Sequence, residues 1–132
     1  AILPYVNTFL YDVKVMDPEL HKKYIGVDNQ LILDNLARLA ADGARIYIRI
    51  PTVKEVNGNE KNMKETIKFL KEHDIHPPQI NLLPYHDTGS GKYQKLGMKY
   101  KGTDLHAPEK EEMEAFVQLF VESGFKNTKI GG

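Results

Sequence analysis

The sequence predicts an α/β domain built on a mostly parallel sheet, and three observations carry that expectation. Segments rich in β-branched and aromatic residues are separated by segments whose apolar residues recur every three to four positions. The two kinds of segment take turns along the chain, as right-handed strand-helix-strand crossovers require. No linker or low-complexity stretch interrupts the 132 residues, about the length of one domain.

Val6 to Lys14, VNTFLYDVK, has strand composition and opens the sheet. In DPELHKKYIG, Asp17 stands at an N-cap position, Pro18 at the first helical position and Gly26 beyond the end, which predicts one or two helical turns. From Asn29 to Asp42, Leu31, Ile32, Leu36, Leu39 and Ala40 form an apolar stripe ahead of Gly43, a helix with its stop signal. Arg45 to Pro51, RIYIRIP, alternates strictly, with Ile46, Ile48 and Ile50 on one face and Arg45, Tyr47 and Arg49 on the other. TVKEVNGNE reads as a polar loop, and Met63, Ile67 and Leu70 mark a helix running to about His73, broken off by Pro77 and Pro78. Gln79 to Tyr85, QINLLPY, is a third strand. After a long loop, Glu109 to Ser123 forms a helix with Met113, Phe116, Val117 and Phe120 inward and Gly124 as its stop, and FKNTKI supplies a last short strand.

Composition leaves several function classes without support. Eighteen basic residues balance eighteen acidic ones, so no electrostatic footprint for nucleic acid or an anionic membrane exists. No apolar run approaches the roughly 20 residues that span a bilayer, and AILPYVNTF lacks signal-peptide features, so the chain reads as cytoplasmic. Cysteine is absent, which excludes disulfides, thiol nucleophiles and thiolate-bound metal from these residues. His21, His73, His76 and His106 show no metal-ligand spacing and read as surface residues. Gly89-Ser90-Gly91-Lys92 lacks the earlier glycine of a phosphate loop and has Tyr93 where Ser or Thr is needed. The run EKEEMEAF reads as the solvated face of the last helix.

Side chains two apart on a strand share a face. Thr8, Leu10, Asp12 and Lys14 therefore lie together, with Phe9, Tyr11 and Val13 turned to the helices. Arg49 joins Asp12 and Lys14 on the second strand, and His86 sits just past the end of the third. Taken singly, these residues have bland readings: a partly solvated ion pair for Asp12 and Lys14, a surface arginine, a structural histidine. Together they gather four titratable groups at the C-terminal ends of parallel strands, the edge where α/β proteins bind ligands. Burying such groups without partners costs several kcal/mol each, on the order given by transfer data, so a charged small molecule suits the cluster.

FLYDVKVMDPELHKKYIGVDNQLILDNLARLAADGARIYIRIP and LLPYHDTGSGKYQKLGMKY, in that order and spacing, resemble the second half of the glycyl-radical enzyme activating enzymes, the pyruvate formate-lyase-activating enzyme family of the radical S-adenosylmethionine superfamily. The resemblance covers nearly the whole chain. It implies half of a TIM-type barrel, with three to four mostly parallel strands alternating with helices, residues 1–132 forming one domain that corresponds to the C-terminal half of the parent. It implies a parent oxidoreductase that uses S-adenosylmethionine and a 4Fe-4S cluster to place a glycyl radical on a partner enzyme. The cluster loop of that family carries cysteines, and none occurs here. The isolated chain is therefore expected to bind neither cofactor tightly and to perform no radical chemistry.

By position, Asp12 and Lys14 match the family's D-x-K pair beside the methionine end of S-adenosylmethionine, with Asp12 also associated with a monovalent cation. Arg45 to Pro51 corresponds by resemblance to the family's fifth strand, where Arg49 matches the arginine of the I-R motif, and His86 matches the histidine of L-P-Y-H near the nucleoside. Tyr85, Gly89, Gly91, Lys92 and Tyr93 would rim the cavity where the glycyl-radical partner docks, or serve as a solvated connector. The alternative is a stand-alone α/β module for ligand binding or protein interaction. The apolar, aromatic first strand lacks edge protection and is expected to seek a neighbour, which favours the fragment over the stand-alone module and predicts self-association through that edge.

Overall fold

Strict alternation makes Arg45–Thr52 (β2) the spine of the sheet: Ile46, Ile48 and Ile50 are buried, while Arg45, Tyr47 and Arg49 on the other face are exposed or half-buried. A computed structural model describes residues 8–26, 29–85 and 105–131 of the chain. Thr8–Asp12 (β1) pairs with one side of β2, Ile80–Pro84 (β3) with the other, and Thr128–Ile130 (β4) with β3. All three pairings are parallel, in the spatial order β1-β2-β3-β4.

The crossovers are helical, as the sequence predicts. Pro18–Ile25 (α1) starts at Asp17, whose carboxylate accepts from the backbone N–H of Glu19 and Leu20, and stops at Gly26 in the left-handed region, φ 109°. Gln30–Ala41 (α2) buries Leu36 and half-buries Leu39 and Ala40, but Leu31 is 70% exposed and does not belong to the stripe. At about 100° per residue Leu31 lies about 140° around the helix from Leu36. Glu60–Glu72 (α3) is capped by Asn59, which accepts from Asn62 N, and packs Met63, Ile67 and Leu70 inward. Lys110–Glu122 (α4) buries Met113, Phe116 and Phe120. Glu109 and Glu112, inside the run expected to be mere solvated surface, form a capping box at its start.

The helices and the isoleucine face enclose one apolar core running from Val13 and Leu36 through Ile48 and Leu82 to Phe120. A second, smaller cluster caps the C-terminal strand ends: Val15, Val53, Val56 and Leu105, with Tyr24 and Tyr85 against it. Two expectations are corrected there. The polar-looking TVKEVNGNE is in part interior, with Val53, Val56, Asn57 and Gly58 buried, because the loop folds back over the strand ends. His21, expected at the surface, is 1% exposed.

Candidate functional site

The ladder between β1 and β2 sets Asp12 beside Arg49, and their side chains meet on the face opposite the isoleucines. Arg49 Nε donates to Asp12 Oδ1 at 2.8 Å. The pair is only partly desolvated, 18% exposed at Asp12 and 32% at Arg49, so it is held in place yet open to solvent. Strand alternation continues past β1: Val13 N donates to Arg49 O, Val13 and Val15 are buried, and Lys14 between them is half-buried. Burial pushes the Lys14 ammonium below its ordinary range, and the Asp12 charge pulls it partly back. Three of the four predicted site residues thus converge. His86 and the rim residues Gly89, Gly91, Lys92 and Tyr93 lie outside the described residues.

What keeps this edge in place is a set of buried amides. Asn57 is fully buried and ties three segments together: its Nδ2 donates to Pro51 O at 2.7 Å and Lys14 O at 3.2 Å, and its Oδ1 accepts from Val53 N at 2.8 Å. Asn29 donates to Val15 O and Met16 O, and Asn62 accepts from Met16 N. The chain following Lys14 is therefore fixed by side chains rather than by a strand partner. None of these asparagines was flagged by spacing or periodicity, since each stands in a stretch that reads as polar connector or helix start.

Tyr85 is half-buried just beyond β3, its N–H donating to Thr52 O. It borders a cleft of about 480 Å³ shared with Lys54, Glu55, Leu105 and His106. Glu55 accepts from His106 N at 2.8 Å and lies 2.7 Å from His106 Nδ1. Burial works to raise the Glu55 carboxyl, but the His106 side-chain and backbone bonds prevail and hold it below its usual range. This pair is exposed and joins two loops; it lies apart from the Asp12–Arg49 ladder.

Cofactor fit differs by group. With no cysteine in the chain, these residues offer no thiolate for an iron-sulfur cluster. Among the described residues no group of three His, Asp or Glu side chains converges to hold a metal ion. A ligand carrying both a carboxylate and N–H donors does suit the open sheet face, where two cations flank one carboxylate. No helix among the described residues is long and apolar enough to cross a membrane.

A parallel half-barrel with a charged C-terminal strand edge defines the class, and comparison with known proteins defines the family. A crystal structure of a domain of pyruvate-formate lyase-activating enzyme from Bacteroides vulgatus superposes with a TM-score of 0.78 at 35% identity, covering 96% of this chain and 68% of that one. A radical SAM methyltransferase from Sphaerobacter thermophilus shares the fold, with a TM-score of 0.67 at 14% identity, over 98% of this chain and 35% of that one. Among curated sequences, the trans-4-hydroxy-L-proline dehydratase activating enzyme of Clostridioides difficile is 45% identical over 128 residues, 96% of this chain and 41% of the relative. The choline trimethylamine-lyase activating enzyme of Oleidesulfovibrio alaskensis is 40% identical over 98 residues, 73% of this chain and 32% of the relative. No model of a known protein family matches the sequence. The chain belongs to the glycyl-radical enzyme activating enzymes of the radical S-adenosylmethionine group. It spans about two fifths of the length of the curated relative most extensively matched above.

Proposed function

We propose that this chain is the S-adenosylmethionine-facing portion of an activase that places a radical on a glycyl-radical enzyme, with Asp12, Lys14 and Arg49 as the cofactor-contacting residues present. One observation carries the reading: the Asp12–Arg49 pair stands at the C-terminal ends of adjacent parallel strands with Lys14 beside it, on the face the helices leave open. Lys14 offers a positive charge to a carboxylate. Arg49, held at Nε by Asp12 Oδ1, presents its terminal N–H groups, and the second oxygen of Asp12 is the one left for a monovalent cation. His86 completes the nucleoside side in this reading, and the stretch from Tyr85 through Gly89, Gly91, Lys92 and Tyr93 forms the rim toward the partner's glycine-bearing loop.

The cluster that cleaves S-adenosylmethionine in this family is not held by these residues, because they include no cysteine. The partner belongs to the glycyl-radical enzymes. The relatives carry the names of activators of different members, a hydroxyproline dehydratase and a choline lyase, and a pyruvate formate-lyase-like partner is one member of that class. Titration calorimetry of the 132-residue chain with S-adenosylmethionine tests the proposal. Asp12→Ala and Arg49→Ala are each expected to weaken binding by about tenfold, the loss of one charge-assisted hydrogen bond. Titrations identical to wild type for both variants refute the site.

A further inference from the structure

Asn81 is the polar side chain of the strand INLLP, and the ladder sets it between two cations. Its register partners are Arg49 on β2 and Lys129 on β4, so one row across the sheet reads Asp12, Arg49, Asn81, Lys129, with neighbours about 4.8 Å apart in the pairing direction. Asn81 is 9% exposed. Its Nδ2 donates to the carbonyl of Gly131. A carbonyl oxygen only accepts, so this bond fixes which way round the amide sits: nitrogen toward the end of β4, Oδ1 turned away from it. Oδ1 carries no hydrogen bond to a described residue and, unlike Asn62 Nδ2, is not sealed from solvent. Arg49 is similarly half-used: Nε is committed to Asp12, and the terminal N–H groups bond no other described residue.

The result is an oriented acceptor next to oriented donors on one open face. A carboxylate at position 81 would pair with Arg49 and neutralise it; the amide supplies an acceptor while leaving the guanidinium charged toward a ligand. We infer that Asn81 is a specificity-determining residue of this site, its Oδ1 accepting a hydrogen bond from an N–H of the ligand whose adjacent acceptor atom is held by Arg49. This rests on the S-adenosylmethionine reading above. That cofactor offers the required donor-beside-acceptor twice, as the ammonium next to the carboxylate of its amino-acid end and as the amine next to a ring nitrogen of its adenine.

Nuclear magnetic resonance on the ¹⁵N-labelled chain separates these sources. Wild type, Asn81→Leu and Asn81→Asp are titrated with S-adenosylmethionine and with two pairs of probes: adenosine against purine riboside, which lacks the exocyclic amine and has no ring N–H, and methionine against its deaminated analogue 4-(methylthio)butanoate. In one pair the amine-bearing probe is expected to bind wild type about tenfold more tightly, the worth of one hydrogen bond. That ratio should collapse in Asn81→Leu, whereas in Asn81→Asp, whose carboxylate pairs with Arg49, both probes of the pair should bind more weakly than to wild type. The pair that discriminates identifies the source. The Asn81 side-chain NH₂ signals of wild type, which need no folded variant, should shift with the amine-bearing probe and stay put with its partner. An Asn81→Leu ratio equal to wild type, absence of discrimination in both pairs, or immobile Asn81 signals at saturation overturns the inference. Binding that requires Arg49 but ignores Asn81 overturns it alone, whereas no binding of S-adenosylmethionine to wild type overturns the site reading as well.

Discussion

Replacing Asn57 by alanine tests how the candidate site is held. The side chain makes three hydrogen bonds, to Pro51 O, Lys14 O and Val53 N, and has no exposed surface. At about 1 kcal/mol net per bond, and more for the buried Pro51 and Val53 groups left without partners, the loss is about 3 to 5 kcal/mol. That is a large part of the roughly 5 to 15 kcal/mol of a typical domain. With a urea slope of about 2 kcal/mol per molar, the unfolding midpoint should fall by about 2 M. Asn57→Asp sharpens the test: it preserves shape and an acceptor for Val53 N but cannot donate to the two carbonyls, so it should do no better than alanine near pH 7. Because Asn57 also holds the backbone of Lys14, affinity for S-adenosylmethionine should drop in any variant that still folds. An Asn57→Ala midpoint within about 0.5 M of wild type would refute the clamp.

Three further outcomes follow from the same geometry. Gly58→Ala should destabilise by about 1 to 3 kcal/mol in urea unfolding, because a Cβ there would stand 2.9 Å from Pro108 Cγ and 3.0 Å from both Lys54 Cα and Val53 O; an unchanged midpoint contradicts that packing. Lys14 has a folded pKa depressed by burial, so the unfolded chain binds more protons just below pH 10.5 and Lys14 makes stability rise as pH climbs through that window. Tyr11, raised by burial, acts oppositely above pH 10, so the comparison is a difference: Lys14→Met should raise the midpoint at pH 7 and remove the alkaline rise, and parallel pH profiles for the two proteins would contradict it. β1 forms the sheet edge with Leu10 66% exposed on it, and sedimentation should show a mass that grows with concentration and falls back in Leu10→Lys; a monomer at all concentrations rules out the edge contact.

Much of this was legible in the sequence where periodicity is decisive. RIYIRIP alternates without exception, so both the buried isoleucine face and the position of Arg49 follow from it, and the same rule on TFLYD places Asp12 opposite. Helix ends were legible at Asp17 and Gly26 because capping chemistry is local. The unread parts depend on contacts distant along the chain. Asn57 lies in VNGNE, whose composition marks a surface loop, and its burial arises only when that loop folds over Lys14, 43 positions away. Asn81 sits in an otherwise apolar run, and only the register with Arg49 and Lys129 shows that it belongs to the open face. His21 and Leu31 fail for the opposite reason: each sits on a helix whose local pattern does not define which arc the rest of the chain covers.

The central claim is that the open face of the sheet, at the strand ends, is where S-adenosylmethionine binds. Mapping backbone amide shifts during titration with that ligand tests it most directly. The largest changes are expected at Asp12 to Lys14, Arg49 and Asn81, in one saturable process; changes confined to the Glu55–His106 cleft, or none, contradict binding at this face.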